Sequence, residues 1–397
     1  MSVERGHGER QTQVDERWLK RALAAALKGD PSPAPRIGAV VVRGEERVSV
    51  GQQAHADAPH AALMALARAG TRARGATLYV TLEPCGSPCT EAIIASGVAR
   101  VVVGCKDPRP HVRSSYRRLQ ARGIHVVSGV LEAAAQQLLA DFCKFQTQGL
   151  PLVTLKAAVT LDGRTAARSG ESKWITGPIA RKYAHRMRAE SDAVLVGVGT
   201  VLADDPELTV RAVRGRDPLR VVLDSQLRTP MHAKLVTTAQ HIPTLILHAK
   251  SANAERAAQL RAAGVQLVAV RQSATRGPGK RTRSLDVEAA LRELARRGVV
   301  RLLVEGGAQV HAALLDAGLV DRAAVFVAPR ILGDMQAIPL VASQTPRTLA
   351  AAFTLPNPEI VRCGNDVLFR GDLSGIESAQ PTRRSASKAG PRQTTKV

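Results

Sequence analysis

The segment ATLYVTLEPCGSPCTEAIIASGVARVVVGC, residues 76–105, decides the fold class. Ala76–Leu82 reads as a strand, Thr90–Ser96 as the start of a helix and Val98–Gly104 as the next strand. Outward toward the N-terminus lie a helix over His60–Arg68, a short buried strand at Ile37–Val42 and an amphipathic helix over residues 16–28 (ERWLKRALAAALK), ended by Gly29 and Asp30–Pro31. Outward in the other direction follow a helix at Ser114–Ala121, a strand at Ile124–Ser128 and a helix over Leu131–Phe145. Strands alternating with helices predict an α/β sandwich, and Gly149–Leu150–Pro151 marks its end.

The second half repeats the alternation. Strands are expected at Leu152–Ala158, Ala193–Gly197, Leu219–Leu223, Thr244–Leu247, Val265–Val270, Arg301–Glu305 and Arg322–Val327. Helices are expected over Pro178–Glu190, Ala254–Ala263, Asp286–Arg296 and from Gly307 to Ala317. The predicted organisation is a disordered N-terminus (1–15), a first domain (16–147), a second α/β domain (148–370) and a basic disordered tail (371–397).

Composition narrows the function classes. The chain has 397 residues, 45% of them apolar, and a net charge of +22, so acidic proteins are excluded and an anionic ligand stays open. Part of the charge is local. Residues 271–284 (RQSATRGPGKRTRS) carry five Lys or Arg and no acid, as does the tail from Ser378, and both read as solvated loop or tail. Aromatics make up 3%, with no basic patch interleaved with stacking residues, so no nucleic-acid partner is expected. Nothing resembles a leader or a membrane span, and five Cys in so long a chain do not form a disulfide scaffold. A soluble, cytoplasmic protein is expected.

Chemistry concentrates in two places. His60 opens a helix, and Cys85 and Cys89 sit where a strand feeds a helix. One imidazole and two thiolates can give three ligands to tetrahedral Zn2+, leaving the fourth position to water. The same three residues can equally be a structural site, or relics that bind nothing. Cys105 and Cys143 lie in apolar contexts that suit core packing, and Cys363 has no evident partner. In the second half, Glu305–Gly306–Gly307 leads from a strand into a helix, a turn that either cradles a phosphate or merely connects tightly. Arg188 and Arg211 are fork-shaped donors suited to a phosphate, and Trp174 is either core or a cover for a flat ring.

The stretches IGAVVV (37–42), PHAALMALARAG (59–70), ATLYVTLEPC (76–85), PCTEAIIASGVARVVVGCKDP (88–108) and ARGIHVVSGVLEAAAQQLLADF (121–142) resemble the zinc-dependent nucleobase deaminases. Within them they resemble the deaminase half of the bifunctional riboflavin-biosynthesis deaminase/reductase family. The block at 155–211, with VVLDSQLRTP (221–230) and VEGGAQV (304–310), resembles the reductase half, and the likeness covers residues 16–370. It implies a cytidine-deaminase-like three-layer α/β/α domain followed by a dihydrofolate-reductase-like α/β domain. It further implies NADPH-dependent reduction of a phosphoribosyl pyrimidine, 5-amino-6-(5-phosphoribosylamino)uracil, by a homo-oligomer. NADPH contacts carry over to Ala158, Trp174, Thr200, Asp204, Ser225 and the turn of Gly307, Ala308 and Gln309. Substrate contacts carry over to Ser172, Arg188, Leu208, Arg211 and Glu305, with Asp204 and Glu305 the candidates for proton transfer. The metal ligands carry over to His60, Cys85 and Cys89.

The first half departs from its family. The Glu of the His-x-Glu pair, the proton shuttle, is Ala62 here. Ala34 replaces an Asn that contacts the pyrimidine, and Gln53 and Asp57 replace a His and a Gly. The Cys-to-Cys loop has shrunk to Gly86–Ser87–Pro88, and Arg109 replaces a further Asn. The expectation is a reductase fused to a deaminase-like domain without catalysis. The alternatives are a bifunctional enzyme with an unorthodox pocket, a reductase of a related pyrimidine or pterin pathway, or a basic adaptor that kept an enzyme fold.

Overall fold

The computed structural model describes residues 2–112, 115–277, 280–343, 345 and 347–374. The first domain runs α1 (Ser2–Ala26), β1 (Gly38–Arg43), β2 (Glu46–Gln52), α2 (Ala61–Ala69), β3 (Thr77–Leu82), α3 (Cys89–Ser96), β4 (Arg100–Cys105), α4 (Ser115–Gln120), β5 (His125–Ser128), α5 (Glu132–Leu138) and α6 (Ala140–Gln148). Its sheet has the order β2-β1-β3-β4-β5, antiparallel across β2-β1-β3 and parallel across β3-β4-β5. Side chains alternate across it. Ala39, Val41, Leu78, Val80, Val101 and Val103 pack under α2 and α3, while Val40, Val42, Tyr79 and Val102 pack against Trp18, Leu19 and Ala22 of α1. Burial on both faces explains why these strands read as unbroken apolar runs.

The second domain runs β6 (Leu152–Thr160), β7 (Arg164–Ala166), α7 (Pro178–Ala189), β8 (Ala193–Gly197), α8 (Val198–Asp204), β9 (Leu219–Leu223), α9 (Lys234–Thr237), β10 (Thr244–Ala249), α10 (Ala254–Ala262), β11 (Gln266–Val270), β12 (Gln272–Gly277), β13 (Lys280–Leu285), α11 (Val287–Arg296), β14 (Arg301–Gly306), α12 (Ala308–Asp316), β15 (Arg322–Ala328), β16 (Ile338–Pro339), β17 (Glu359–Cys363) and β18 (Asp366–Asp372). Nine of these strands form one sheet, β11-β10-β9-β8-β14-β6-β15-β18-β17, parallel as far as β15 and antiparallel beyond it. From β6 the chain steps outward through β8 to β11, then returns to insert β14 beside β6 and to lay β15 on its other side. Such a reversal of strand order opens a crevice at the carboxyl ends of the strands.

Three expectations change. Of the expected disordered arm 1–15, residues 2–15 are instead helical, because α1 begins at Ser2. Asp15 is 3% exposed and takes both terminal nitrogens of Arg100 at 2.6 and 2.7 Å. That partner lies 85 residues away, so no local pattern announces it. The basic stretch at 271–284 is a β-hairpin, β12 with β13, rather than a loop. The single helix expected over Leu131–Phe145 is two, α5 and α6, separated at Leu139. Strands β2, β17 and β18 were not anticipated. The tail from Ser378 lies outside the described residues. No helix among the described residues is long and apolar enough to cross a membrane.

The domains are joined through α6 and an ionic knot. Lys144 on α6 donates to both carboxylate oxygens of Asp321 at 2.8 and 2.6 Å, and Asp321 also takes the backbone N–H of Val153. Arg301, at the start of β14, pairs with Asp30 of the first domain and with Asp192 of the second, each at 2.8 Å.

Candidate functional sites in two pockets

Strand β3 runs into Glu83–Pro84–Cys85, and Cys89 opens α3, so both thiols stand at the carboxyl end of the first sheet. His60 holds the N-cap position of α2. Its Nδ1 lies 3.1 Å from Cys89 Sγ and 3.3 Å from Cys85 Sγ, and the three ligand atoms all fall within 4.8 Å of one another. Bonds of ~2.3 Å to sulfur and ~2.0 Å to nitrogen at tetrahedral angles need an N···S separation of about 3.5 Å. The donor set and its spacing therefore fit zinc. Hydrogen bonding from Cys89 and His60 holds the Cys85 thiol low, at about 4, while the neighbouring Cys85 sulfur pushes the Cys89 thiol up.

The pocket around this cluster has a volume of about 400 Å³. The Ala62 methyl lines it, two residues beyond the histidine. Glu83 is the one carboxylate among the described lining residues, and it is already engaged. One of its oxygens takes the Ser115 hydroxyl at 2.6 Å, the other the Asp107 N–H at 3.3 Å. Arg109 is turned to Asp107 as well, through Nε and Nη2 at 2.9 and 2.6 Å. The pocket thus presents metal ligands, Ala34 and Gln53, and a wall from Phe142, Phe145 and Gln146 of α6. Cys105 sits in an apolar cluster with Leu82 and Phe142, against which Cys143 packs, and all five cysteines are free thiols.

A larger cleft, about 1220 Å³, opens at the carboxyl ends of β6, β8 and β14. Its lining gathers Ala158, Ser172, Trp174, Arg188, Thr200, Asp204, Leu208, Arg211, Glu305, Gly307, Ala308 and Gln309, every candidate from the second half except Ser225. Ser225 stands past the end of β9, where its carbonyl accepts from the Ala249 N–H, and it is not among the lining residues. Seven Lys or Arg line the cleft against four Asp or Glu, an excess that suits ligands bearing several phosphates.

At its floor the cleft holds a charge cluster. Arg188 forks onto Glu305, Nε to Oε1 at 2.6 Å and Nη2 to Oε2 at 2.9 Å, while Nη1 donates to the Thr209 carbonyl at 3.0 Å. Lys156 Nζ lies 3.7 Å from the same carboxylate. Burial alone would raise the Glu305 carboxyl, but Arg188 and Lys156 outweigh it and hold the value at about 2. Burial pulls Lys156 down, and it pulls His185 down too, with the Arg188 and Arg211 charges adding to the effect on the histidine.

The arginines expected at a phosphate also have protein partners. Arg188 is shared with a carboxylate, and Arg211 leans on Glu207 Oε2 and Thr209 Oγ1 at 2.6 and 2.8 Å. Ser172 likewise donates to Asp204 Oδ1 at 2.6 Å. Leu208 is buried in the core at the cleft wall, and Trp174 is 61% exposed at the rim with the Arg181 guanidinium 4.3 Å from its ring centroid. Lys156, Arg181 and His185 escaped the sequence reading. Each sits in an element recognised for other residues, and its position in the cleft depends on contacts the sequence does not display.

The turn after β14 presents the N-terminus of α12. Gly306 has φ +137°, a conformation that only glycine adopts without strain, and Gly307 is the N-cap. At Gly197 a Cβ would lie 2.8 Å from Val310 Cγ2, so glycine there lets α12 approach β8. The first residues of α12 line the cleft, so the positive end of the helix lies where it can accommodate a phosphate.

Comparison with known proteins gives the same division. The RibD C-terminal domain family matches residues 151–369, and the cytidine and deoxycytidylate deaminase zinc-binding region matches residues 12–105. The riboflavin biosynthesis protein RibD of Aquifex aeolicus is 42% identical over 331 residues, covering 81% of this chain and 89% of its own. That of Escherichia coli K12 is 39% identical over 80% of this chain and 89% of its own. Among solved structures, Acinetobacter baumannii RibD (form 1) is 33% identical with a TM-score of 0.79, covering 91% of this chain and 99% of its own. A Thermotoga maritima protein described as a diaminohydroxyphosphoribosylaminopyrimidine deaminase/5-amino-6-(5-phosphoribosylamino)uracil reductase is 32% identical with a TM-score of 0.76, at the same coverage.

Proposed function

Because the chain belongs to the RibD family of bifunctional riboflavin-biosynthesis deaminase/reductases, we propose that its second domain reduces the ribosyl group of 5-amino-6-(5-phosphoribosylamino)uracil with NADPH. The first domain, on this reading, holds zinc but has lost deamination. The observation that carries the reductase assignment is the cleft at the carboxyl ends of β6, β8 and β14, with its basic lining, the start of α12 and the Arg188–Glu305–Lys156 cluster at its floor.

NADPH, when bound, supplies the hydride that the sugar carbon C1′ accepts. The residues around it do the positioning. Gly307, Ala308 and Gln309 offer backbone donors to a cofactor phosphate, and Trp174 with Arg181 covers the rim. Glu305 stays ionised, so it accepts hydrogen bonds from sugar hydroxyls or pyrimidine amines while fixing Arg188. Two N–H groups of Arg188 remain beyond those given to Glu305 and Thr209, and with Arg211 they serve the 5′-phosphate. Asp204, held by Ser172, stands on the cleft wall as a proton carrier for the opening sugar ring. The apolar wall around Leu208 keeps water from the reacting carbon.

In the first domain His60, Cys85 and Cys89 would hold the metal, and the chemistry it would supply there is Lewis acidity. Ala62 cannot move a proton, and the Glu83 carboxylate is occupied by Ser115 and Asp107. Positioned proton transfer contributes roughly 10²–10⁴-fold in such reactions. The intact ligand cluster favours a second reading, a bifunctional enzyme that recruits another base.

One assay separates them. Zinc-supplemented protein is incubated with the diamino pyrimidine phosphoribosyl compound or with its deaminated uracil, with and without NADPH, and products are read by mass. NADPH oxidation on the uracil alone, with deamination appearing only in Ala62→Glu, supports the proposal. Deamination by the unaltered chain establishes the bifunctional reading, and no turnover on either compound overturns the riboflavin assignment.

A further inference from the structure

One wall of the large cleft is the segment around β16, from Gln336 to Pro339 with Ala342 beyond. On one side it is sewn to the strand preceding the cleft. β16 pairs with β7, Arg164 Nη1 donates to the Ala337 carbonyl at 3.1 Å, and the Leu340 N–H donates to the Gly163 carbonyl at 3.2 Å. On the other side two bonds tie it to α12. The Ala342 N–H donates to the Ala308 carbonyl at 3.1 Å, and His311 Nδ1 meets the Leu340 carbonyl at 3.0 Å.

His311 is 2% exposed, one turn into the helix whose first residues line the cleft. A ring nitrogen facing a carbonyl must carry the proton, so the tautomer is Nδ1–H. Nε2 is then a lone pair, buried without a hydrogen-bond partner among the described residues. Burial lowers the pKa of this imidazole and keeps it neutral. An apolar side chain of similar volume would fill the space without an orphaned nitrogen, which is costly in a core. What the imidazole adds over such a residue is the bond to Leu340.

We propose that His311 is a positioning residue for the dinucleotide: through Nδ1–H it clips the β16 wall to α12 and so fixes the gap into which the cofactor inserts. The inference rests on the reductase reading above and adds to it a residue at the cleft that acts through the wall it holds.

The test compares three variants of the full chain, each checked for native circular dichroism and melting temperature. His311→Asn keeps an N–H near the Nδ1 position, His311→Gln moves it toward Nε2, and His311→Leu removes it. His311→Leu and His311→Gln should raise KM for NADPH on the order of tenfold, the effect of losing one buried hydrogen bond, with kcat at saturating NADPH changed by less than about threefold. His311→Asn should return KM to within about threefold of the parent. Equal KM values for the Asn and Leu variants, whether raised or unchanged, would overturn the clip, since packing alone does not separate them. If the parent protein leaves the uracil unreduced, the functional reading fails, and the same comparison is then read from NADPH dissociation constants by fluorescence titration. If the parent binds no NADPH, both fall.

Discussion

Replacing Glu305 by Gln tests the charge cluster on which the cleft is built. The change conserves shape but sets an amide against the Arg188 fork and removes the counter-charge of Lys156. The side chain is 6% exposed, so solvent screening discounts the effect little. With the folded value near 2 and an ordinary value of 4.5, the ionised carboxylate contributes about 3 kcal/mol to stability. The sign follows from a depressed folded pKa: the contribution is fully present above pH 4.5 and drains away as pH falls toward 2. Stranding a buried cation gives a similar figure, roughly 3–5 kcal/mol. The assay is urea unfolding followed by circular dichroism at steps from pH 7 to pH 3, on the transition that NADPH shifts in the parent protein. Glu305→Gln should lower stability at pH 7 by about 3 kcal/mol, and the gap to the parent should narrow steadily below pH 4.5. A variant within about 0.5 kcal/mol of the parent at pH 7, with a parallel pH profile, would refute the account of the cleft floor.

Asp15→Asn should destabilise the first domain by about 3 kcal/mol, because it leaves Arg100 without its buried partner, and thermal unfolding of the two proteins measures it. Cys89→Ser should abolish zinc retention, measured by atomic absorption after dialysis, while uracil reduction stays within about twofold of the parent; a parallel loss of reduction would show that the second domain depends on the metal. Gly197→Ala drives a methyl into Val310 and displaces α12, so NADPH titration should show affinity falling on the order of tenfold.

Much of this was written locally. The apolar runs at 39–42, 78–80 and 101–103 are strands because both faces of the first sheet are covered, and their sequence carries that burial directly. The convergence of His60, Cys85 and Cys89 was legible because residue type and a strand-to-helix turn together restrict where they can sit. The ionic fork was not. Arg188 and Glu305 are 117 residues apart and meet only because α7 and β14 converge on the same crevice, so each read as a contact to the substrate and their mutual pairing went unseen. The reach of α1 upstream of residue 16 was hidden for the same reason, its anchor being Arg100 on β4. The hairpin at 272–285 was hidden by composition, since a run of basic residues around Gly277–Pro278–Gly279 carries no apolar alternation to mark two strands.

Helix α6 has two employers. Phe142, Phe145 and Gln146 wall the pocket of His60, Cys85 and Cys89, while Lys144 between them grips Asp321 of the second domain, and the Gln148 carbonyl takes Arg292 from α11. A chain cut at Gly149 would leave the reductase with Asp321 stripped of its cation and Arg301 missing its Asp30 partner. The first domain is therefore a structural abutment of the second, whatever chemistry its own pocket performs.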